Sequence, residues 1–166
     1  RTAGADFADA RAGTDESESL TVRNQEMEGI DRSTSTGVGI RVLVGGRWGF
    51  AATSRLDEAE IDRTARLAVT MAKAAQRLPG EAVSLTPVEP AKASWRTPVT
   101  EDPFTVPLEE KVALLMEASR RMQDVPDLSF AEAGLDFFRR STWFASSDGA
   151  EIEQVVTNSG GGIEAV

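Results

Sequence analysis

The sequence predicts a fold of the α/β class, of the α+β type, in which an antiparallel or mixed β-sheet is covered by two amphipathic helices. Two observations predict it: strand patterns stand at both ends of the chain, and the two helical patterns between them do not alternate regularly with strands. Residues 79–107 hold six of the seven prolines and predict an extended arm between the helices. We expect residues 1–166 to form a single domain.

The first half of the chain has strand patterns over about residues 5–54. The clearest lies in residues 37–44, where every second position is a branched aliphatic residue. The pair Gly45-Gly46 can adopt the positive φ angles of a hairpin turn, and large and small residues then alternate over 48–52. We therefore predict a β-hairpin over about residues 37–53.

A helix is predicted over residues 57–78. Asp57 can accept hydrogen bonds from the free amides of the first turn, and Glu60 stands three residues later, as in a capping box. Small and apolar residues recur at spacings of four and three, which lets a helix lie close to a sheet. This stripe consists of Ile61, Ala65, Ala68, Ala72 and Ala75.

The proline-rich segment, residues 79–107, has two interpretations. Proline lacks an amide donor and fixes φ, so this segment cannot form a central strand. It is either a linker between two domains or an extended arm packed on one domain. Trp95 and Phe104 favour the packed arm, because on a free linker their large side chains would lie in water.

A second helix is predicted over residues 108–123. Its apolar side contains Leu108, Val112, Leu115 and Met122, with Leu114 and Ala118 adjoining. Strands follow over residues 128–158, with a turn at 147–149. We predict that residues 158–162, which include three successive glycines, form a loop and flexible hinge.

The composition excludes most familiar active sites. The chain has 166 residues, 40% of them hydrophobic, which is enough for a packed core. It contains no Cys, His or Tyr, so thiolate nucleophiles, imidazole bases and imidazole or thiolate metal ligands are excluded within it. The remaining residue types favour a structural role for this chain, and we predict no catalytic, cofactor-binding or metal-binding residue in it.

The charge balance bears on partners and location. The chain has 18 basic and 27 acidic side chains and a net charge of −9, which argues against nucleic acid and anionic membranes as partners. It has no apolar run of the roughly 20 residues that span a bilayer and no basic-then-apolar leader. We expect a cytoplasmic protein.

Several patterns suggest ligand sites but have simpler explanations. Residues 37–39 lack the third glycine of a dinucleotide fingerprint, and residues 160–162 lack the lysine and helix of a phosphate loop. The acidic residues within 15–18 and 26–28 lack calcium-loop spacing, and we expect them on a solvated strand edge. Lys111 would need a catalytic partner in space, and the aromatic residues are expected in the core or an interface.

Eight segments, taken together, resemble the amino-terminal domain of the TldD/PmbA family in order and spacing. The segment Trp-Gly-Phe-Ala at 48–51 is closer to the TldD branch than to the PmbA branch. Pro107 departs from the family pattern, which often has Ser before Leu-Glu-Glu-Lys, so the cap of the second helix is in doubt. The segments are Gly4–Arg11, Glu18–Asn24, Gly37–Val44, Trp48–Ala51, Thr97–Val99, Asp102–Phe104, Leu108–Val112 and Ser147–Gln154.

The resemblance implies a zinc-dependent peptidase that cleaves unfolded or extended peptides, often as paired subunits; an older name for the family is modulator of DNA gyrase. In the TldD branch it implies zinc held by a His-Glu-x-x-x-His element and a later Cys in the carboxyl-terminal part. This chain has neither His nor Cys, so no catalytic position carries over. We expect residues 1–166 to be the amino-terminal domain of a longer TldD-like protein, without its catalytic domain.

The leading hypothesis is a noncatalytic domain that helps to enclose the peptidase chamber. Its expected partners are its own carboxyl-terminal domain, a second TldD/PmbA-type subunit in a homo- or hetero-oligomer, and an unfolded or extended peptide. Backbone exposed at the glycines can pair with such a peptide by strand addition. The predicted peptide or interface contacts are Gly37, Gly39, Arg41, Trp48 and Gly49.

The alternative hypothesis is a stand-alone protein-binding module, for example one that acts on DNA gyrase through its acidic surface. The coding sequence after Val166 discriminates between the two. A His-Glu-x-x-x-His element there favours the peptidase, whereas retention of gyrase subunits by this chain alone favours the module.

Overall fold

The computed structural model describes residues 4–166, which form six strands and two helices. No helix in this part of the chain is long and apolar enough to cross a membrane. The elements are β1 (Phe7–Arg23), β2 (Glu26–Val44), β3 (Arg47–Thr53), α1 (Glu58–Ala75), β4 (Lys92–Arg96), α2 (Leu108–Gln123), β5 (Ala131–Ser146) and β6 (Glu151–Ala165).

The strands form one six-stranded sheet in the order β3-β2-β1-β5-β6-β4. The strands β2 and β3 are antiparallel, with Val38 opposite Thr53 and Val44 opposite Arg47. The amide of Glu151 donates to the carbonyl of Ala91, and the amide of Thr157 donates to the hydroxyl of Thr97, so β4 runs parallel to β6. The sheet is therefore mixed, which confirms the predicted fold class.

The chain divides into two compact units. The first contains residues up to Thr14 together with Ser35–Trp95 and Ser141–Val155. The second contains Asp15–Thr34, Arg96–Arg140 and Val156–Val166. Each unit has its own helix and its own apolar core.

In the first unit, α1 packs on the face of β2 and β3 that the sequence pattern marks as apolar. Asp57 caps α1 by accepting a hydrogen bond from the amide of Glu60 at 2.9 Å. Gly45 and Gly46 form the hairpin turn with φ of 54° and 74°. Both predictions are confirmed, and the core consists of Val38, Ile40, Val42, Val44, Ala51, Ala68, Val69 and Ala72.

Gly49 allows α1 to lie directly on β3. A Cβ atom at this position would lie 2.0 Å from the carbonyl oxygen of Ala68 and 2.5 Å from the amide nitrogen of Ala72. These atoms belong to the helix backbone, so they cannot move aside as a side chain would. Only glycine fits here, and the alanines at 68 and 72 complete the close approach.

In the second unit, α2 covers strands from β1 and β5. Leu115 is buried with Leu20, Val22, Ala133 and Phe137, as the amphipathic pattern predicts. Leu108, Val112 and Met122 pack against this core, and Phe104 of the proline-rich segment joins them. Leu114, by contrast, is exposed. Pro107 makes no side-chain cap for α2.

The structure corrects the prediction for the glycine run. Residues 158–162 are not a loop or hinge but lie inside β6. Val166 and Phe130 exchange two backbone hydrogen bonds of 3.0 Å at the end of this strand, so β6 pairs along β5 through the glycines. Ladder pairing at a fixed register outweighs the low strand preference of glycine.

Candidate functional site

The β2–β3 hairpin carries aromatic and charged side chains on the face that points away from α1. Because alternate strand residues point to opposite faces, Arg41 and Leu43 lie opposite the core-facing residues. Their partners on β3 are Phe50 and Trp48. We call this the hairpin surface and define it as Phe7, Asp9, Arg41, Trp48 and Phe50.

Arg41 is held at the centre of the hairpin surface by two neighbours. Its Nε and Nη2 donate to one carboxylate oxygen of Asp9, at 2.9 and 2.6 Å. Its guanidinium carbon lies 4.6 Å from the ring centroid of Trp48. Trp48 in turn meets Phe7 edge to face, with ring centroids 6.0 Å apart. The guanidinium is thus pre-positioned on an aromatic support, with a buried counter-charge.

Gly39 makes room for an exposed aromatic ring. A Cβ atom at this position would lie 3.0 and 3.3 Å from two ring carbons of Phe50. The ring therefore lies across β2 at Gly39, and Phe50 remains 57% exposed. Phe50 therefore offers exposed aromatic area on the same face as Arg41.

The structure brings together three of the five predicted contact residues, Gly39, Arg41 and Trp48. Gly37 lies further along β2, and Gly49 faces α1 on the opposite side of the sheet. Since β2 lies between β3 and β1, the backbone of Gly37 and Gly39 is not at a sheet edge, whereas β3 is an edge strand. The contact role of all five residues stays a prediction.

The predicted contact residues omit three members of the hairpin surface: Phe50, which stands two residues after Trp48, and Phe7 and Asp9 of β1. The sequence signal for Phe7 and Asp9 is weak. Phe7, Asp9 and Arg11 stand at every second position at the start of β1, so they share one face. Nothing in the sequence indicates that this face meets Arg41, which lies 32 residues away from Asp9.

The second unit contains a buried ion pair between Glu18 and Lys111. Glu18 is 4% exposed and Lys111 is 3% exposed. The ammonium group donates to one carboxylate oxygen, and Arg32 donates to the other at 2.5 Å. The Lys111 nitrogen also lies 4.4 Å from the ring centroid of Phe137. Among residues 4–166, no buried side-chain polar atom lacks a partner.

The burial of Glu18 contradicts the sequence interpretation. We expected Glu18 on a solvated strand edge, together with the neighbouring acids, and this is wrong for Glu18. It lies instead on the α2 side of β1, where Lys111 supplies the counter-charge that a buried carboxylate needs. The two residues are 93 positions apart, so the sequence alone cannot pair them.

Acid is expected to remove the stability that this ion pair contributes. Burial is the largest influence on the pKa of Glu18 and raises it, but hydrogen bonds and charges from Lys111 and Arg32 together outweigh burial and lower the pKa below its ordinary value of 4.5. The stabilisation is therefore present above about pH 4.5 and lost as the pH falls through the folded-state pKa.

We expect the unfolding free energy of the wild type to fall more steeply below that pH than that of a Glu18→Leu/Lys111→Met variant. Urea titrations over a pH series measure both. Other carboxylates act in the same direction. For example, hydrogen bonds from Arg120 and then Arg121 lower the pKa of Glu117 to about 2. The test therefore depends on the difference in pH dependence between the two proteins. Equal pH dependence would contradict the prediction.

The chain matches two family models. Residues 8–72 match PmbA/TldA metallopeptidase domain 1, and residues 101–166 match the PmbA/TldA metallopeptidase central domain. The chain belongs to the PmbA/TldD metallopeptidase family. The resemblance drawn from the sequence is confirmed, and the two matched ranges lie on either side of most of the proline-rich segment.

Curated relatives of this PmbA/TldD chain are named metalloproteases. A metalloprotease of Methanocaldococcus jannaschii is 27% identical over 152 residues, which cover 92% of this chain and 34% of the relative. One from Methanothermobacter thermautotrophicus is 28% identical, with 92% and 32% covered. One from Synechocystis is 26% identical, with 90% and 32% covered. The chain thus spans about a third of the length of these relatives.

Solved structures share the fold. A candidate modulator of DNA gyrase from Bacteroides thetaiotaomicron has a TM-score of 0.74 and 13% identity, and the match covers 98% of this chain and 37% of that one. A second candidate modulator, from Thermotoga maritima, gives 0.70 and 14%, with 96% and 39% covered. TldE from Thermococcus kodakarensis gives 0.60 and 15%, with 96% and 40% covered.

The residues of this PmbA/TldD chain do not fit the metal that the names of its relatives imply. The whole sequence lacks His and Cys. Over residues 4–166, no group of three or more acidic side chains comes close enough to hold a metal ion.

Proposed function

We propose that this chain is the noncatalytic amino-terminal part of a longer PmbA/TldD-type peptidase, where it helps to enclose the proteolytic chamber. One observation carries the proposal: a chain of a metallopeptidase family contains no imidazole and no thiolate in 166 residues. Two further facts support it. The matched relatives are about three times longer, and they are named metalloproteases. The metal, zinc, would then be bound by residues outside this chain.

The test compares the 166-residue chain with the longer protein that contains it. We expect stoichiometric zinc and chelator-sensitive cleavage of an unfolded peptide, such as reduced and alkylated casein, only in the longer protein. Metal analysis and a fluorescence assay of casein cleavage measure the two properties. Chelator-sensitive hydrolysis by the short chain alone would overturn the proposal. Specific retention of gyrase subunits by the short chain would instead favour the stand-alone module.

The hairpin surface is the part of the chain that we propose for contacts with a second subunit. Phe50 offers exposed apolar area, and Arg41 offers a fixed charge beside it, a combination enriched at protein interfaces. Partner subunits of the PmbA/TldD type are the expected occupants.

Replacing Phe50 with serine in the longer protein is expected to weaken subunit association about tenfold or more, as for an interface anchor. Sedimentation or light scattering over a concentration series measures the shift. The matched control is Val88→Ser, because Val88 is also an exposed apolar residue of the first unit and lies outside the hairpin surface. If Phe50→Ser and Val88→Ser leave the same oligomer distribution, the hairpin surface is not the subunit contact.

A further inference from the structure

On one open sheet face of the second unit, several neighbouring residues are glycine, serine or threonine. Leu20 and Val22 of β1 and Phe137 of β5 point toward α2, so the residues between them along each strand lie on the opposite face. That face is marked by cross-strand pairs such as Arg23 with Glu132. It carries Ser19 and Thr21 of β1 and the even-numbered residues of β6.

Glycines form the floor of a groove on this face. Two adjoining hollows of about 450 and 320 Å³ share Asp136, and Gly134, Gly160 and Gly162 line one or the other. A Cβ atom at Gly162 would meet nothing within 4 Å, and one at Gly160 would meet only the carbonyl oxygen of Asp136, at 4.0 Å. The sheet backbone is therefore accessible here, with free space above it.

The dimensions of the groove suit an extended peptide. Residues 158–164 of β6 run beside it, and at about 3.3 Å per residue they span about 20 Å, the length of six extended residues. Ser19 and Thr21 add hydroxyl groups along one wall, which can both donate to and accept from peptide groups.

The acidic side chains that line the groove favour a positively charged ligand. No lysine or arginine is among the described residues that line it, whereas Asp136, Glu132 and Glu164 are. At one end Arg23 forms ion pairs with Glu132 at 2.7 Å and with Glu28 at 2.6 Å. The exposed Asp136 has no partner within residues 4–166 and lies where the two hollows meet. A positive side chain near the middle of the bound segment would therefore complete an ion pair.

We propose that this groove binds an extended, cationic segment of a peptide substrate. The main chain of the segment lies over Gly134, Gly160 and Gly162, and a lysine or arginine side chain pairs with Asp136. The inference rests on the proposed function, since a wall of the proteolytic chamber is where an unfolded substrate would meet this face. It adds to that function a preference for basic residues.

The test uses the 166-residue chain and two fluorescent peptides of about eight residues, one alternating Ser and Lys and one alternating Ser and Glu. Fluorescence anisotropy gives the dissociation constants at low salt. We expect binding of the Ser-Lys peptide only. Asp136→Asn is expected to weaken it about threefold, the size of one solvent-exposed ion pair. Gly162→Val is expected to weaken it about tenfold or more, because a Cβ atom there meets nothing within 4 Å and the new side chain would occupy the groove.

Two matched controls separate the groove from general attraction to an acidic chain. Asp127→Asn removes one exposed charge in a turn where asparagine tolerates the positive φ of 63°. Gly29→Val adds the same side chain on β2, where a Cβ atom also meets nothing within 4 Å. Both should bind like the wild type. Equal weakening by Asp136→Asn and Asp127→Asn, or no effect of Gly162→Val, would overturn this inference while leaving zinc content and casein cleavage of the longer protein unchanged.

Discussion

Replacing Glu18 with leucine is expected to lower the free energy of unfolding by about 3–5 kcal/mol, the cost of leaving a buried charge uncompensated. Lys111 would lose its acceptor and its counter-charge and keep only the ring of Phe137. Because Lys111 is 3% exposed, water cannot replace the carboxylate without opening the contact between α2 and β1.

The opposite change, Lys111→Met, is expected to cost less, about 1–3 kcal/mol, because Arg32 still donates to Glu18. The Glu18→Leu/Lys111→Met double variant should lose less than the sum of the two single variants, since it leaves no unpaired charge under α2. Urea unfolding followed by circular dichroism measures all four proteins of this cycle. Additive losses would show that the two side chains do not stabilise each other.

Replacing Gly49 with alanine is expected to destabilise the first unit by about 3 kcal/mol or more, through overpacking. The new methyl group would lie 2.0 Å from a backbone oxygen of α1, so the helix must shift away from β3 as a whole. That shift would also loosen the contacts of Ala68 and Ala72 with Val42 and its neighbours in the core. Thermal and urea unfolding measure the loss.

Gly162→Ala is the matched control for Gly49→Ala. Gly162 also lies in a strand, but a Cβ atom there meets nothing within 4 Å. Alanine should therefore be neutral or slightly stabilising at this position, because it has less backbone freedom to lose on folding. Similar losses in both variants would mean that the contact between β3 and α1 does not depend on glycine at position 49.

Elements with local signals could be predicted from the sequence. The hairpin over residues 37–53 follows from a period of two, a pair of glycines and a return strand, all within seventeen residues. The start of α1 follows from Asp57 and its distance to Glu60. In each case the residues that decide the structure are neighbours in the chain.

Features that depend on distant partners could not be predicted. The glycines at 160–162 have a low intrinsic preference for strands, and only the pairing of β6 with β5 places them in a ladder. Glu18 resembles its acidic neighbours until α2 brings Lys111 beside it. Composition gives the charge of such residues but not their burial.

Among the predicted contact residues, too, some depend on local sequence signals and others on a distant element. Gly39 and Arg41 lie two residues apart on one strand and therefore share a face. The hairpin register brings Trp48 to the same face, so a correctly predicted hairpin is enough to group the three residues. Gly49 follows Trp48 directly and therefore points the other way, toward α1. Glycine is needed at position 49 because α1 packs closely on it, and not because the backbone is exposed there. The sequence alone does not give the position of α1, so it cannot separate these two reasons.

The short strand β4 limits how other molecules can join this sheet. It is the last strand in the order, and all five of its residues are exposed. Pro90 precedes it and Pro98 follows it, so two positions beside this edge lack an amide hydrogen. An incoming strand could form a ladder only along the few residues between these prolines, next to the ion pair of Lys92 with Glu151. These features disfavour aggregation of this chain through the β4 edge of the sheet.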